Sequence, residues 1–119
     1  MLARAFMTKW FVRAARKAGL SSGVLSRAMA EVARGQSDDL GGGVFKKRLN
    51  DNRHRAIILA RTGDFWVYEY LFAKSDRANI EVDELQAFRD LAKAYARLTP
   101  EQVQQLIDTG HWKELGGDR

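Results

Sequence analysis

Residues 55–74, RAIILARTGDFWVYEYLFAK, decide the fold. Seven aliphatic or arginine residues lead into Thr62-Gly63-Asp64, and ten largely aromatic and apolar residues follow, closed by Lys74. β-Branched and aromatic residues suit a pleated, half-buried surface, and the Thr-Gly-Asp break is hairpin-turn chemistry. The spacing predicts two antiparallel strands, Arg55–Arg61 and Phe65–Lys74. Strict alternation in the second sets Trp66, Tyr68, Tyr70 and Phe72 on one face and Val67, Glu69, Leu71 and Ala73 on the other.

Upstream, Val44–Leu49 also alternates, with Phe45 and Leu49 to one side and Lys46 and Arg48 to the other. Asp51-Asn52 between it and the next strand is turn chemistry. Residues 36–43, rich in Gly, Ser and Asp, read as a loop. Before them lie two helical stretches. Residues 8–18 place Trp10, Phe11, Ala14, Ala15 and Ala18 on one face and Lys9, Arg13, Arg16 and Lys17 on the other. Gly19 suits the end of that helix and Ser21 or Ser22 the cap of the next, whose stripe is Val24, Leu25, Ala28, Met29 and Val32. Past Ile80 the 3.6 period returns at Leu85, Phe88, Leu91, Ala92, Tyr95 and Leu98. Thr99-Pro100-Glu101-Gln102 then marks a fresh helix start, with Gly110 its stop. The order ααβββαα predicts one α+β domain over residues 1–119. Its N-terminal helical hairpin packs on a small antiparallel sheet of three or more strands, C-terminal helices follow, and residues 116–119 form a flexible tail.

Composition narrows the chemistry. The 119 residues are 45% hydrophobic and 29% charged, a globular balance. There is no cysteine, so disulfides, thiolate metal sites and thiol nucleophiles are all excluded. Two histidines are too few for a histidine cage, and neither a metal nor a cofactor is expected. No apolar run reaches the ~20 residues of a membrane span. The formal net charge is +5. Residues 1–77 carry fifteen basic against seven acidic side chains, and residues 78–119 five against eight. A polyanionic partner is therefore expected at the first two-thirds of the chain. No acid precedes Glu31, which resembles a mitochondrial presequence, but the same residues read as the first helix of the fold; a secretory signal is excluded because no uncharged apolar stretch of about 7–15 residues follows the first charges.

The densest cationic stretch is Lys46-Lys47-Arg48 followed by Arg53-His54-Arg55. On neighbouring antiparallel strands these residues form either a phosphate clamp, with arginine binding bidentately and lysine as a point charge, or a charged edge that resists aggregation. Glu69 interrupts an apolar strand; it either pairs with Arg55 or serves as a general base tuned by the cations. The aromatic stripe of that strand reads as core rather than as a base-stacking platform. Histidine as a residue type suits acid–base work near neutrality, so His54 is either a candidate for it or simply an exposed loop residue. Gly41-Gly42-Gly43 precedes a strand and not a helix, unlike a phosphate loop.

Taken in order, three segments resemble the HigB-like branch of the RelE/ParE toxin superfamily. They are Gly41-Gly42-Gly43-Val44-Phe45-Lys46-Lys47-Arg48, Arg55-Ala56-Ile57-Ile58-Leu59-Ala60, and Phe72-Ala73-Lys74-Ser75-Asp76-Arg77-Ala78-Asn79-Ile80. The resemblance runs from about Trp10 to Leu106. It implies a small basic toxin of a bacterial type II toxin–antitoxin module, cytoplasmic, with an antiparallel sheet flanked by helices. It further implies a metal-independent endoribonuclease that cleaves mRNA on the ribosome and so inhibits translation; the ParE branch instead offers a non-catalytic inhibitor of DNA gyrase. The implied partners are mRNA, the ribosome and a helix-turn-helix antitoxin through which the complex binds operator DNA. The family's basic strand positions fall on Lys46 and Arg48, its strand-opening arginine on Arg55 and its strand-closing lysine on Lys74. Ser75 and Glu81 depart from the pattern, where RelE toxins proper carry an arginine and a tyrosine. The expected catalytic set is thus Arg55, Arg48, Lys46, Glu69 and His54, with Lys47, Arg53, Lys74 and Arg77 on RNA.

Overall fold

A hairpin cannot bury its aromatic face alone, and this one is widened on both sides. The computed structural model describes residues 3–61 and 64–116; Thr62 and Gly63 of the expected turn and residues 117–119 of the expected tail lie outside them. In chain order the elements are β1 (Arg4–Thr8), α1 (Lys9–Lys17), α2 (Ser22–Ala33), β2 (Asp38–Gly41), β3 (Val44–Leu49), β4 (His54–Arg61), β5 (Phe65–Ala73), α3 (Val82–Tyr95), α4 (Pro100–Asp108) and β6 (Trp112–Glu114). The sheet has six strands in the order β2-β3-β4-β5-β1-β6. β1 runs parallel to β5, and the other neighbours are antiparallel.

The fold is α+β, as expected, but two parts of the expectation are corrected. The helical hairpin is not the first element, because β1 precedes it, and the sheet is mixed rather than antiparallel. β1 escapes the alternation test because it is buried on both sides: Phe6 is fully buried on one face and Met7 nearly so on the other. β2 lies inside the stretch read as a loop, where Asp38 and Asp39 pair with Lys46 and Phe45 at the sheet edge. An acidic, four-residue edge strand carries little β propensity, and such edges discourage pairing with other chains. β6 is three residues long, held by the burial of Trp112.

The helices start where the sequence caps them. Thr8 Oγ1 accepts from the Phe11 amide and Ser21 Oγ from Val24. Thr99 and Gln102 form a reciprocal capping box ahead of α4, with Pro100 as its first residue. The two sheet faces are then covered by different helices. On one side α1 and α2 lay Phe11, Ala15, Leu25, Ala28, Met29 and Val32 on Met7, Leu49, Ala56, Ile58, Tyr68 and Leu71. Phe11 stacks on Tyr68 at 4.6 Å, and the Tyr68 hydroxyl donates to the Leu25 carbonyl at 2.8 Å. Complete burial of each large side chain here contributes about 1.5–3 kcal/mol. On the far side α3 covers Val44, Ile57, Leu59 and Phe72, while α4 and β6 close over Phe6, Phe65 and Val67.

β5 does not alternate strictly, which corrects the expected aromatic stripe. Ile57 pairs with Tyr70 while the adjacent Ile58 pairs with Tyr68, so Glu69 is the extra residue of a β-bulge. A bulge exchanges the faces beyond it. Trp66 and Tyr68 therefore join the α1–α2 core together with Leu71, whereas Tyr70 and Phe72 turn to the far side.

Candidate functional site

The far face of the sheet is covered by α3 over only part of its length. Directly opposed residues share a face, so the row Arg48–Arg55–Phe72 and the next row, Lys46–Ile57–Tyr70, lie on this side. Phe45 and Leu49 point the other way, into the α1–α2 core. Lys46, Arg48 and Arg55 thus share the face away from the helical hairpin. Arg53 and Lys74 stand just past the end of the row, joined by the Lys74 amide donating to the Arg53 carbonyl at 2.9 Å. Arg48 and Lys74 are exposed, and among the described residues neither side chain has an ion-pair or hydrogen-bond partner.

The connection from β3 to β4 shapes this end. Asn50, Asp51 and Asn52 all adopt left-handed backbone conformations, with φ of 54°, 53° and 70°. Asn and Asp tolerate that region better than other side-chain-bearing residues, yet each such residue costs of the order of 1–3 kcal/mol. The turn is held by the arginines that follow it. Arg53 donates from Nε to the Asn50 carbonyl and from Nη2 to its side-chain oxygen, both at 3.2 Å. Arg55 donates from Nη1 to the carbonyls of Asn52 at 2.9 Å and His54 at 3.2 Å. Arg55 is only 8% exposed, so its guanidinium is preorganised, in part by its own turn. The strand-opening position had marked Arg55; the run of three left-handed residues could have been suspected only from the Asn-Asp-Asn composition.

Other expected site residues are engaged elsewhere. Lys47 lies on the opposite face from its neighbours, where Nζ meets Glu31 and the Gln36 carbonyl, each at 2.9 Å, and ties α2 to β3. This ion pair holds the Glu31 carboxyl below the ordinary carboxylate range. Lys46 keeps the far face but leans on Asn79 at 3.4 Å and on Asp38 at 3.9 Å. Arg77 forks onto Glu84, donating to Asn79 through Nε at 3.0 Å, with its guanidinium 5.6 Å from the centre of the Phe72 ring. His54 pairs with Leu49 and Ala73, on the hairpin side, and its Nδ1 lies 3.1 Å from Asn50 Nδ2.

Glu69 does not pair with Arg55. The bulge directs its carboxylate to Tyr95 of α3, whose hydroxyl donates at 2.6 Å. Burial pushes the Glu69 carboxyl above its ordinary range, and the Tyr95 hydrogen bond offsets only part of that rise. The Tyr95 hydroxyl is raised too, first by burial and then by Glu69. Tyr95 gave no functional signal in the sequence, because its helical period accounts for it as core. Glu81, where the resemblance placed a departure, is the N-cap of α3 and shares a capping box with Glu84.

The arrangement offers fixed positive charge at one end of an otherwise covered sheet face. Among the described residues no three His, Asp or Glu side chains converge as a metal site, and no helix is long and apolar enough to cross a membrane. No curated protein and no solved structure matches the chain significantly. A family model described as RelE toxin of the RelE/RelB toxin–antitoxin system matches residues 3–115. That span includes β1, the cationic row and β6, so the chain belongs to the RelE toxin family, for which a cognate antitoxin is the implied partner.

Proposed function

We propose that this toxin is an endoribonuclease that cuts mRNA during translation, and that it belongs to the HigB-like branch, with a helix-turn-helix antitoxin that also holds operator DNA. The observation that carries the reading is the row Arg48–Arg55 with Lys46 beside it, in which Arg48 is exposed and Arg55 is buried and held by its own turn, in a chain of this family. Cleavage within RNA needs the 2′-hydroxyl deprotonated, the phosphorane charge stabilised and the 5′-oxygen protonated as it leaves. Arg48 and Arg55 supply the middle requirement, since cations fixed on a rigid strand need no reorganisation as charge develops. Arg53 and Lys74 extend the surface along the backbone of the RNA as phosphate contacts. A ribosome that holds the mRNA in line would leave the protein positioning and proton transfer. His54, on the hairpin side of the sheet with its Nδ1 at Asn50, and Glu69, sequestered with Tyr95, do not face this row.

The test is purified protein in a translation extract, with mRNA ends mapped by primer extension. New ends with the parent chain and their loss with Arg48→Ala are expected. Intact mRNA together with inhibited DNA supercoiling would overturn the nuclease reading in favour of a gyrase inhibitor.

A further inference from the structure

The aromatic side chains that the β5 bulge turns to the far face do not all disappear into the core. β1 pairs with β5 only as far as Met7 opposite Tyr68, so Tyr70 has no strand beside it on that side. The chain leaves β1 at Thr8 and enters α1, and Trp10 on its first turn closes the gap. The indole stacks on the Tyr70 ring with centroids 5.1 Å apart and planes inclined by 24°. Tyr70 is braced in turn by Phe72 and Phe88, each 6.0 Å away. Trp10 nevertheless remains 50% exposed. A large residue held rigidly by one face while half its surface stays in water is an unfinished stack.

Its surroundings are cationic. Lys9 and Arg13 flank it on the exposed side of α1, with Arg16 and Lys17 a turn further on. Among the described residues none of these four has an ion-pair partner, and α1 has no acid in its first turn. Tyr70 is two residues along β5 from Phe72, the register partner of Arg55. Strand spacing and rise put the Tyr70 and Arg55 backbones about 8 Å apart, within reach of neighbouring nucleotides of one strand.

We propose that Trp10, backed by Tyr70, is a base-stacking subsite for single-stranded RNA, with Lys9 and Arg13 on the adjoining phosphates. The subsite deepens the nuclease reading and rests on it for its ligand. Aromatic platforms accept any base, because every base has a π face, so the subsite holds the strand in register without selecting sequence. The occupant is RNA rather than an acidic peptide segment because the exposed aromatic face adds nothing to charge pairing, whereas it is what a base needs.

The probe is a short fluorescent 2′-O-methyl RNA, which cannot be cut by attack of its own 2′-hydroxyl, titrated into the full chain and followed by anisotropy. Trp10→Ala is expected to weaken binding about tenfold, with Trp10→Phe retaining most of the affinity. An abasic site moved along the probe is expected to cost the parent a similar factor at one position, and to cost Trp10→Ala nothing there. Equal affinity of Trp10→Ala and parent, a flat abasic scan, absence of binding by the parent, or the same Trp10 dependence with a glutamate-rich peptide would each overturn the subsite. Should Trp10→Ala fail to fold, the abasic scan on the parent decides alone. mRNA cleavage in extract with a flat scan would sink the subsite and leave the nuclease standing; a single sensitive position without cleavage would do the reverse.

Discussion

The far face of the sheet has two ends built from the same three strands, and they solve opposite problems. At one end α3, α4 and β6 cover Val44, Leu59, Phe65 and Val67, and Glu69 and Arg61 there have hydrogen-bond partners. Glu69 meets Tyr95, and Arg61 spends its guanidinium on the Leu98 carbonyl and Asp64. At the other end Arg48 and Lys74 are exposed and stand without acids among the described residues, beside the buried Arg55. A sheet face is hydrophobic where a helix covers it because an unpaired charge there would cost several kcal/mol. Where side chains such as Arg48 and Lys74 stay exposed, charge costs little and remains available to a ligand. The covered end therefore carries stability, and the open end is proposed to carry activity.

The sharpest way to break that division is at Phe6 of β1, fully buried between Phe65 and Trp112. Phe6→Ala is expected to cost about 3–5 kcal/mol of stability in urea titration. A loss below about 1 kcal/mol would mean that β1 and β6 are not integral to the domain. Arg48→Ala should do the opposite, lowering mRNA cleavage about 100-fold or more with stability within about 0.5 kcal/mol of the parent. Arg55→Ala is the less clean test, because Arg55 also holds the carbonyls of the left-handed turn.

Salt dependence measures the open end as a whole. With about four phosphates neutralised, the log–log slope of single-stranded RNA affinity should be on the order of −3, and Lys74→Ala should reduce it by about 0.7. A slope near zero would assign the basic excess to the antitoxin. Lys46 and Lys47 offer a finer contrast, being adjacent in one strand but on opposite faces. Lys46→Ala should weaken RNA binding, whereas Lys47→Ala should leave it unchanged and lower the unfolding midpoint slightly by releasing Glu31. Equal effects of the two on RNA would overturn the facing.

The smallest expected effect concerns the covered end and pH. Because burial raises the Glu69 carboxyl above its ordinary 4.5, the folded chain holds that proton more tightly than the unfolded one. Its contribution is fully present below the ordinary value and is lost as pH rises through the raised one. Glu69→Gln keeps an acceptor for Tyr95 and removes the charge. It should therefore flatten the decline in unfolding midpoint over that window, relative to the parent, and leave cleavage intact. Loss of cleavage in a stable Glu69→Gln protein would return Glu69 to the catalytic set.

Much of this was legible in the chain because the relevant physics is local. Thr99, Pro100 and Gln102 cap α4 through groups three residues apart, and Lys46 and Arg48 share a face because side chains alternate along a strand. Arg55 was legible as an important arginine but not as a buried one, since its carbonyl partners exist only once Asn50, Asp51 and Asn52 turn left-handed. Glu69 meets Tyr95 rather than Arg55 for the same kind of reason. Its residue type signals a polar position, but the bulge that aims it at Tyr95 is a property of the pairing between β4 and β5.

By itself the sequence determined the α+β class, the four helices, the central strands, the absence of thiol chemistry and the basic first two-thirds, all of which follow from composition and short-range periodicity. Only the tertiary structure decided that Arg4–Thr8 inserts parallel to β5, that Tyr70 and Phe72 part from Trp66 and Tyr68, and that Lys47 serves α2 rather than the cationic row. Trp10 belongs to the same group, since a helical stripe cannot say that its first member leaves the core to stack on Tyr70. The reason is common to all four. Each depends on which residues distant in the chain are brought opposite one another, and the energy that selects such pairings resides in the partner as much as in the residue read.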